Sequence, residues 1–219
     1  MITFEQIKAD PSIKTYITEA DKSLGSLGFT DHSFAHVGKV AEMAKYILDA
    51  LGYSEREAEL AQIAAWLHDI GNVVNRIDHA QSGAVMAFRI LDRLGGDPED
   101  IAKVIAAIGN HDESTAEPVN AIAAALILAD KTDVRYTRVR ETDPANFDIH
   151  DRVNFAVREA KTTIDDAHEA ITLDLTIDTQ YCSVMDYFEI FLGRMLLCRR
   201  AAAFFDLAFR LVVNGQQLL

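Results

Sequence analysis

The chain of 219 residues carries a net charge of −13 and is 49% hydrophobic and 25% charged. This length fits one domain with a small appendage, and the composition argues against disorder. The acidic balance argues against a general nucleic-acid binder, because such proteins need a basic surface to displace counterions. The two cysteines, Cys182 and Cys198, indicate neither a disulfide scaffold nor a zinc knuckle. No signal region opens the sequence, and no uncharged apolar run reaches the roughly 18 residues of a membrane helix. We therefore expect a cytoplasmic protein without a membrane partner.

Helical signals fill most of the first 140 residues. Capping residues and apolar residues at 3-to-4 spacing predict six helices with short connections. Their expected ranges are about 11–25, 31–50, 54–69, 79–94, 98–111 and 119–135. We expect residues 1–140 to pack as a helical bundle.

The pattern changes after Arg140, where a polar loop is followed by an alternating apolar run from Ile171 to Ile177. Such alternation is typical of a strand with one buried face. Residues 153–164 are the proposed second arm of a hairpin that turns at residues 165–168. A long helix is expected from Ser183 to Val213. The predicted fold class is mainly α: a helical bundle with a small C-terminal β-hairpin and a long C-terminal helix. Residues 141–219 are expected to pack on the core and not to fold independently.

Six residues with metal-binding side chains fall at or near the ends of the predicted helices. Asp130 is the most informative of them, because it follows nine residues, Ala121 to Ala129, without one polar side chain. A buried carboxylate is costly unless it is paired or bound to a cation. An ordinary ion pair with Lys131 or Arg135 remains open for Asp130, and capping or core roles remain open for each histidine. The six candidates are His36, His68, Asp69, His79, His111 and Asp130.

Their chemistry suits a divalent transition metal. Neutral imidazole and carboxylate favour Fe, Mn, Zn, Ni or Co over Cu(I) or an iron–sulfur cluster. One ion would be held by His36, His68, Asp69 and Asp130. His79 and His111 would add a second ion, with Asp69 bridging through its two oxygens. His32 is left out, because it falls at or before the start of its helix.

Five segments of the sequence resemble the HD-domain superfamily of metal-dependent phosphohydrolases. They are HSFAHVGKV, WLHDIGN, DHAQSGA, IGNHDE and LADKTDVRYTRVR, and together they span roughly residues 30 to 140. The additional His79 and His111 are similar to the two-metal branch, which includes dinucleoside-tetraphosphate hydrolases. The resemblance implies an all-helical core, a binuclear site, and hydrolysis of a phosphate ester or anhydride, expected in a nucleotide.

The roles of individual residues are hypotheses at this stage. Water activated by the metals would be the nucleophile, with Asp69 between the ions. Asp112 would accept a proton or orient a ligand histidine, although an exposed loop acid fits the pattern as well. Lys131 and Arg135 would hold a substrate phosphate, and Lys131 is also counted among the catalytic candidates.

The expected partner is a small phosphorylated molecule, not a nucleic-acid polymer. Residues 141–219 could cover the substrate pocket, form a homodimer surface, or do both. Two other functions remain open: a di-iron oxygenase built on the same ligand set, and a binding module without turnover.

Overall fold

The computed structural model describes residues 1–219. The first 140 residues form seven α-helices with short connections. They are α1 (Phe4–Ala9), α2 (Pro11–Ser26), α3 (Phe34–Ala50), α4 (Glu55–Leu67), α5 (His79–Arg93), α6 (Pro98–Gly109) and α7 (Ala121–Lys131). All six predicted helices are present. Helix α1 was not predicted, because six residues are too few to show a helical period.

Helix α7 lies in the centre of the bundle. Every residue from Ile122 to Lys131 is buried. A helix that is hydrophobic all round is expected at the core of a protein. Asn120 caps this helix by accepting a hydrogen bond from the backbone N–H of Ala123. Because α7 is central, its charged pair Asp130-Lys131 lies in the interior of the protein.

The C-terminal region adds two helices and a small sheet. In chain order they are α8 (Ile149–Ala156), β1 (Val157–Ile164), β2 (Ala170–Ile177), α9 (Val184–Phe204), β3 (Ala208–Val213) and β4 (Gln216–Gln217). The sheet has the order β1-β2-β3-β4, in which β2 and β3 are parallel and the other two pairs are antiparallel. The mainly α fold class is confirmed, and the hairpin is extended to four strands.

Two predicted boundaries in this region were wrong. The last helix ends at Phe204 and does not reach Val213, because Asp206 takes a left-handed conformation (φ 60°) and turns the chain into β3. Burial alternates along β3, as expected for a strand. This alternation was not recognised in the sequence, because the apolar helix α9 comes shortly before it. The first hairpin arm begins at Val157, and the residues before it belong to α8.

A single hydrophobic cluster of 55 buried residues runs through the helical core and the C-terminal region. Leu173 and Leu175 of β2 and Leu211 of β3 are among its members, as are Phe191 and Met195 of α9. The sheet and α9 therefore share one core with the helices. None of the helices combines the length and the apolar character needed to cross a membrane.

Candidate metal centre and its cavity

The position of His68 and Asp69 depends on a close contact between backbones. The two residues follow α4 and lead into a single 3-10 turn, Ile70–Val73, which packs against α5. A Cβ atom at Gly71 would lie 2.0 Å from the carbonyl oxygen of His79 and 2.5 Å from the backbone nitrogen of Gly83. Only glycine permits this approach, which brings Asp69 next to the first residue of α5.

Asp69 and Asp130 face two histidines, His36 in α3 and His68 directly after α4. Asp69 Oδ2 lies 3.1 Å from His68 Nε2 and 3.7 Å from His36 Nε2. Asp130 Oδ1 lies 3.3 Å from His36 Nε2 and 3.7 Å from His68 Nε2. Four of the predicted ligand side chains thus enclose one small volume.

The other oxygen of Asp69 faces a second pair of histidines. Asp69 Oδ1 lies 3.5 Å from His79 Nε2 and 3.9 Å from His111 Nε2, and these two nitrogens are 3.2 Å apart. All six predicted ligand residues are therefore brought together. Asp69 lies between the two groups and offers one oxygen to each.

Each of the four histidines has a hydrogen-bond acceptor at Nδ1, on the side away from the centre. The Nδ1 acceptors are Asp133 Oδ2 for His36 (2.8 Å), Ala65 O for His68 (2.7 Å), Arg76 O for His79 (3.0 Å) and Ile108 O for His111 (2.6 Å). A carbonyl oxygen only accepts, so Nδ1 carries the proton. In the neutral ring this leaves the lone pair of Nε2 directed at the centre, as in metal-ligating histidines.

The centre contains polar atoms that lack partners. Nε2 of His36 and Nε2 of His68 are fully buried, and neither has a hydrogen-bond partner. Buried polar atoms are normally satisfied, so each exception requires an explanation. A divalent cation coordinated by both nitrogens would satisfy them, and the imidazole and carboxylate donors suit such a cation. The residues present therefore fit a divalent metal.

The charge balance of the centre is compatible with a bound cation. Burial raises the pKa values of Asp69 and Asp130, but His68 beside Asp69 and Lys131 beside Asp130 outweigh burial and hold both well below the usual range. Burial lowers the pKa of His68, yet the two carboxylates raise it to about 10. Lys131 thus balances one of the two buried carboxylates, and a proton on His68 or a metal cation would balance the other. Burial lowers the pKa of His111 to about 3, so that ring is neutral.

A polar cavity of about 540 Å³ opens onto the centre. Two further predicted residues, Asp112 and Lys131, lie in its wall. Lys131 Nζ contacts Asp130 Oδ2 at 2.5 Å, and Asp112 Oδ1 lies 3.9 Å from His79 Nε2. Lys131 and Asp112 are thus within reach of a molecule bound beside the centre.

Arg135 does not lie in this cavity. Its guanidinium donates to Asp133 Oδ1 (2.8 Å) and to the carbonyl of Ala35 (3.2 Å), and it lines a separate surface groove. Arg135 therefore does not lie where it was expected to hold a substrate phosphate. Arg138, three residues later, lines the main cavity instead. Residues 136–138 form a 3-10 turn, and Arg138 is only 4% exposed.

Three residues near the centre were not among the predicted site residues, and one of them, His32, had been left out because it falls at or before the start of its helix. His32 Nε2 lies 4.0 Å from Asp69 Oδ2, and the His32-His36 spacing was the available signal. Asn72 donates from Nδ2 to Asp69 Oδ1 (2.9 Å), and Arg76 donates to Asn72 Oδ1 (3.3 Å). No sequence signal indicated the roles of Asn72 and Arg76.

The C-terminal region supplies one wall of the cavity. Residues Asp148, His150, Asp151 and Asn154 come from α8 and the residue before it, and Phe191 and Arg194 come from α9. Arg194 is fixed by an ion pair with Glu113, which also lines the cavity. Residues 141–219 were expected to cover the substrate pocket, to form a homodimer surface, or to do both. This arrangement agrees with the first of these roles.

Fold and site together define an α-helical domain with an interior His/Asp centre of metal-binding type. Residues 33–135 match the family model described as the HD domain. This segment, a little under half of the chain, is therefore identified as an HD domain. The chain is also similar to the crystal structure of a predicted HD superfamily hydrolase from an uncultured Thermotogales bacterium, with 28% identity and a TM-score of 0.45. That similarity covers 62% of this chain and 75% of the other chain. No curated protein matches the chain significantly.

Proposed function

We propose that the protein is a metal-dependent phosphohydrolase that cleaves a phosphate ester or anhydride of a small molecule, with nucleotides among the candidate substrates. The match of residues 33–135 to the HD-domain family model supports hydrolase activity. One observation carries the proposal: four histidine Nε2 atoms and two buried carboxylates converge at the floor of a cavity lined by cationic side chains.

The two groups around Asp69 are the proposed metal ligands. His36, His68 and Asp130 would hold one ion with Asp69 Oδ2. His79 and His111 would hold a second ion with Asp69 Oδ1. When bound, divalent cations lower the pKa of water and stabilise negative charge on a phosphoryl oxygen.

Three cationic side chains would bind the phosphate group. Lys131 is held against Asp130, Arg194 against Glu113, and Arg138 is anchored by donating to the carbonyls of Asp31 and Asp133. Nη2 of Arg138 has no partner within the chain and remains available to an anion. Fixed guanidinium and ammonium groups suit phosphate oxygens, and in an acidic chain such a local cluster is needed to attract an anion.

Asp112 is the proposed proton acceptor. Burial raises the pKa of its carboxyl group, but the hydrogen bond from Ser114 and the nearby His79 outweigh burial and lower that pKa. Asp112 is therefore ionised at neutral pH and can accept a proton released within the cavity.

The test is phosphate release from protein stripped with a chelator and reloaded separately with Mn, Fe, Co, Ni or Zn. The substrates are bis-p-nitrophenyl phosphate, nucleoside monophosphates, cyclic nucleotides and dinucleoside tetraphosphates. Loss of an outer-shell partner typically costs about 10–100-fold, so Asp69→Asn is expected to lose at least about 100-fold. Asp166→Asn is the matched control, because Asp166 is exposed and outside the cavity.

Metal-restored activity that Asp69→Asn abolishes and Asp166→Asn retains would support the proposal. Absence of hydrolysis with every metal would overturn it. If that protein also holds two tightly bound irons, the oxygenase function becomes the better account of the same ligands.

A further inference from the structure

The cavity is lined by groups of opposite character. Lys131, Arg138 and the candidate metal centre contribute cations and metal-binding side chains. The α8 wall, defined as Asp148, Asp151 and Asn154, offers carboxylate and amide oxygens to the same cavity. A substrate that fills the cavity therefore meets both cationic groups and hydrogen-bond acceptors.

Asn154 provides the best-defined acceptor of this wall. The residue is 6% exposed, and its Nδ2 donates to the carbonyl of His150 at 2.9 Å. Since a carbonyl oxygen can only accept, this bond fixes the orientation of the side-chain amide. Oδ1 of Asn154 is left without a partner in the chain, in a residue that lines the cavity. A largely buried acceptor of this kind needs a donor from a ligand or from water.

The two aspartates extend the acceptor surface. Asp148 caps α8 by accepting from the backbone N–H of Asp151 at 2.8 Å through Oδ1, which leaves its second oxygen available. The half-buried carboxylate of Asp151 has no hydrogen-bond or ion-pair partner in the chain. Two negative charges repel a phosphate group and attract hydroxyl or amino donors. They would therefore favour a bound pose in which the phosphate lies against the cationic side chains and away from these carboxylates.

The cavity offers little surface for stacking a nucleobase. Only three of its 21 lining residues are hydrophobic. Phe191 is 1% exposed, and its ring is covered by the guanidinium of Arg194 at 4.5 Å. Phe29 is 39% exposed, and the guanidinium of Arg76 lies over its ring at 5.4 Å. Proteins that bind bases without sequence preference commonly stack them on aromatic side chains.

We propose that the α8 wall is a specificity subsite that binds the hydroxyl groups of a phosphorylated sugar or polyol. The substrate places its phosphate at the metal centre and its hydroxyl groups against Asn154, Asp148 and Asp151. A nucleotide is accepted through its ribose, and its base contributes little. This inference rests on the proposed phosphohydrolase function.

The experiment compares kcat/KM for ribose 5-phosphate, adenosine 5′-monophosphate and p-nitrophenyl phosphate on metal-reloaded protein. We expect the first two values to agree within about fivefold, which is below the smallest effect of a stacked base. Asn154→Leu removes the acceptor at similar volume. It should lower the ratio of kcat/KM for ribose 5-phosphate to that for p-nitrophenyl phosphate by about tenfold. Asp151→Asn is the second variant, and it should shift the same ratio in the same direction.

Asn146→Leu is the matched control, since Asn146 is exposed and outside the cavity, and it should leave the ratio unchanged. An unchanged ratio in both wall variants would overturn the inference while leaving the phosphohydrolase intact. Absence of turnover on all three substrates would instead refute the proposed function, and the inference with it.

Discussion

Replacing Gly71 with alanine tests how the centre is assembled. The new Cβ would lie 2.0 Å from the carbonyl oxygen of His79, 2.5 Å from Gly83 N and 2.6 Å from Ser82 Oγ. Two of these atoms belong to the backbone, so the 3-10 turn and α5 must separate by about 1 Å. Overpacking of this kind costs about 1–3 kcal/mol or more. For a chain of this size each kcal/mol lowers Tm by about 2–4 °C, so a decrease of about 2–12 °C is expected.

The same separation should weaken metal binding, because Asp69 Oδ1 and His79 Nε2 lie on the two elements that move apart. Thermal unfolding followed by circular dichroism measures the first effect, and equilibrium dialysis against a divalent metal measures the second. Gly193→Ala is the matched control. Gly193 lies in α9 with no atom within 4 Å of the added Cβ, so higher helix propensity should stabilise the chain by about 1 kcal/mol. An unchanged Tm in Gly71→Ala, or equal shifts in both variants, would refute the reasoning.

Three further predictions concern single side chains. Asp133→Asn should lower divalent-metal affinity about 10–100-fold in equilibrium dialysis, because the carboxylate orients His36 through its Nδ1; unchanged affinity would contradict this. Arg138→Gln should lower kcat/KM for a phosphoester about 10–100-fold by removing a charge-assisted contact. Arg135→Gln, outside the cavity, should lower it less than about fivefold, and the reverse order would refute the assignment. Burial raises the pKa of Cys198 to about 12, and both cysteines are buried, so Ellman's reagent should label neither thiol in the folded chain and both in denaturant. Rapid labelling of Cys198 in the folded protein would contradict the packing of α9.

The helical core and the grouping of the six candidates could be predicted because both depend on local signals. Ser54 and Asp97 mark helix starts through side-chain caps, and the apolar period determines which face of each helix is buried. A histidine or aspartate at the end of a buried helix face is therefore expected to point into the core. Asp130 could be placed inside because α7 is apolar all round.

The rest of the site depends on contacts between distant parts of the chain. Arg138 and Arg135 look equivalent in sequence, and only the 3-10 turn decides which of them reaches the cavity. Asn154 and Arg194 reach the cavity because α8 and α9 pack against the core, which no local period predicts. Strand β3 was not predicted for a similar reason. In the sequence, the long helix α9 separates it from its partner strand β2.

The most direct test of the account is the metal content of the purified protein beside Asp69→Ala. Inductively coupled plasma mass spectrometry after dialysis, with the metals of the activity panel offered in turn, counts the ions held per chain. We predict two divalent ions per wild-type chain and loss of both from Asp69→Ala, since Asp69 offers one oxygen to each histidine group. Folded wild-type protein that retains no divalent ion under any of these conditions would contradict the account.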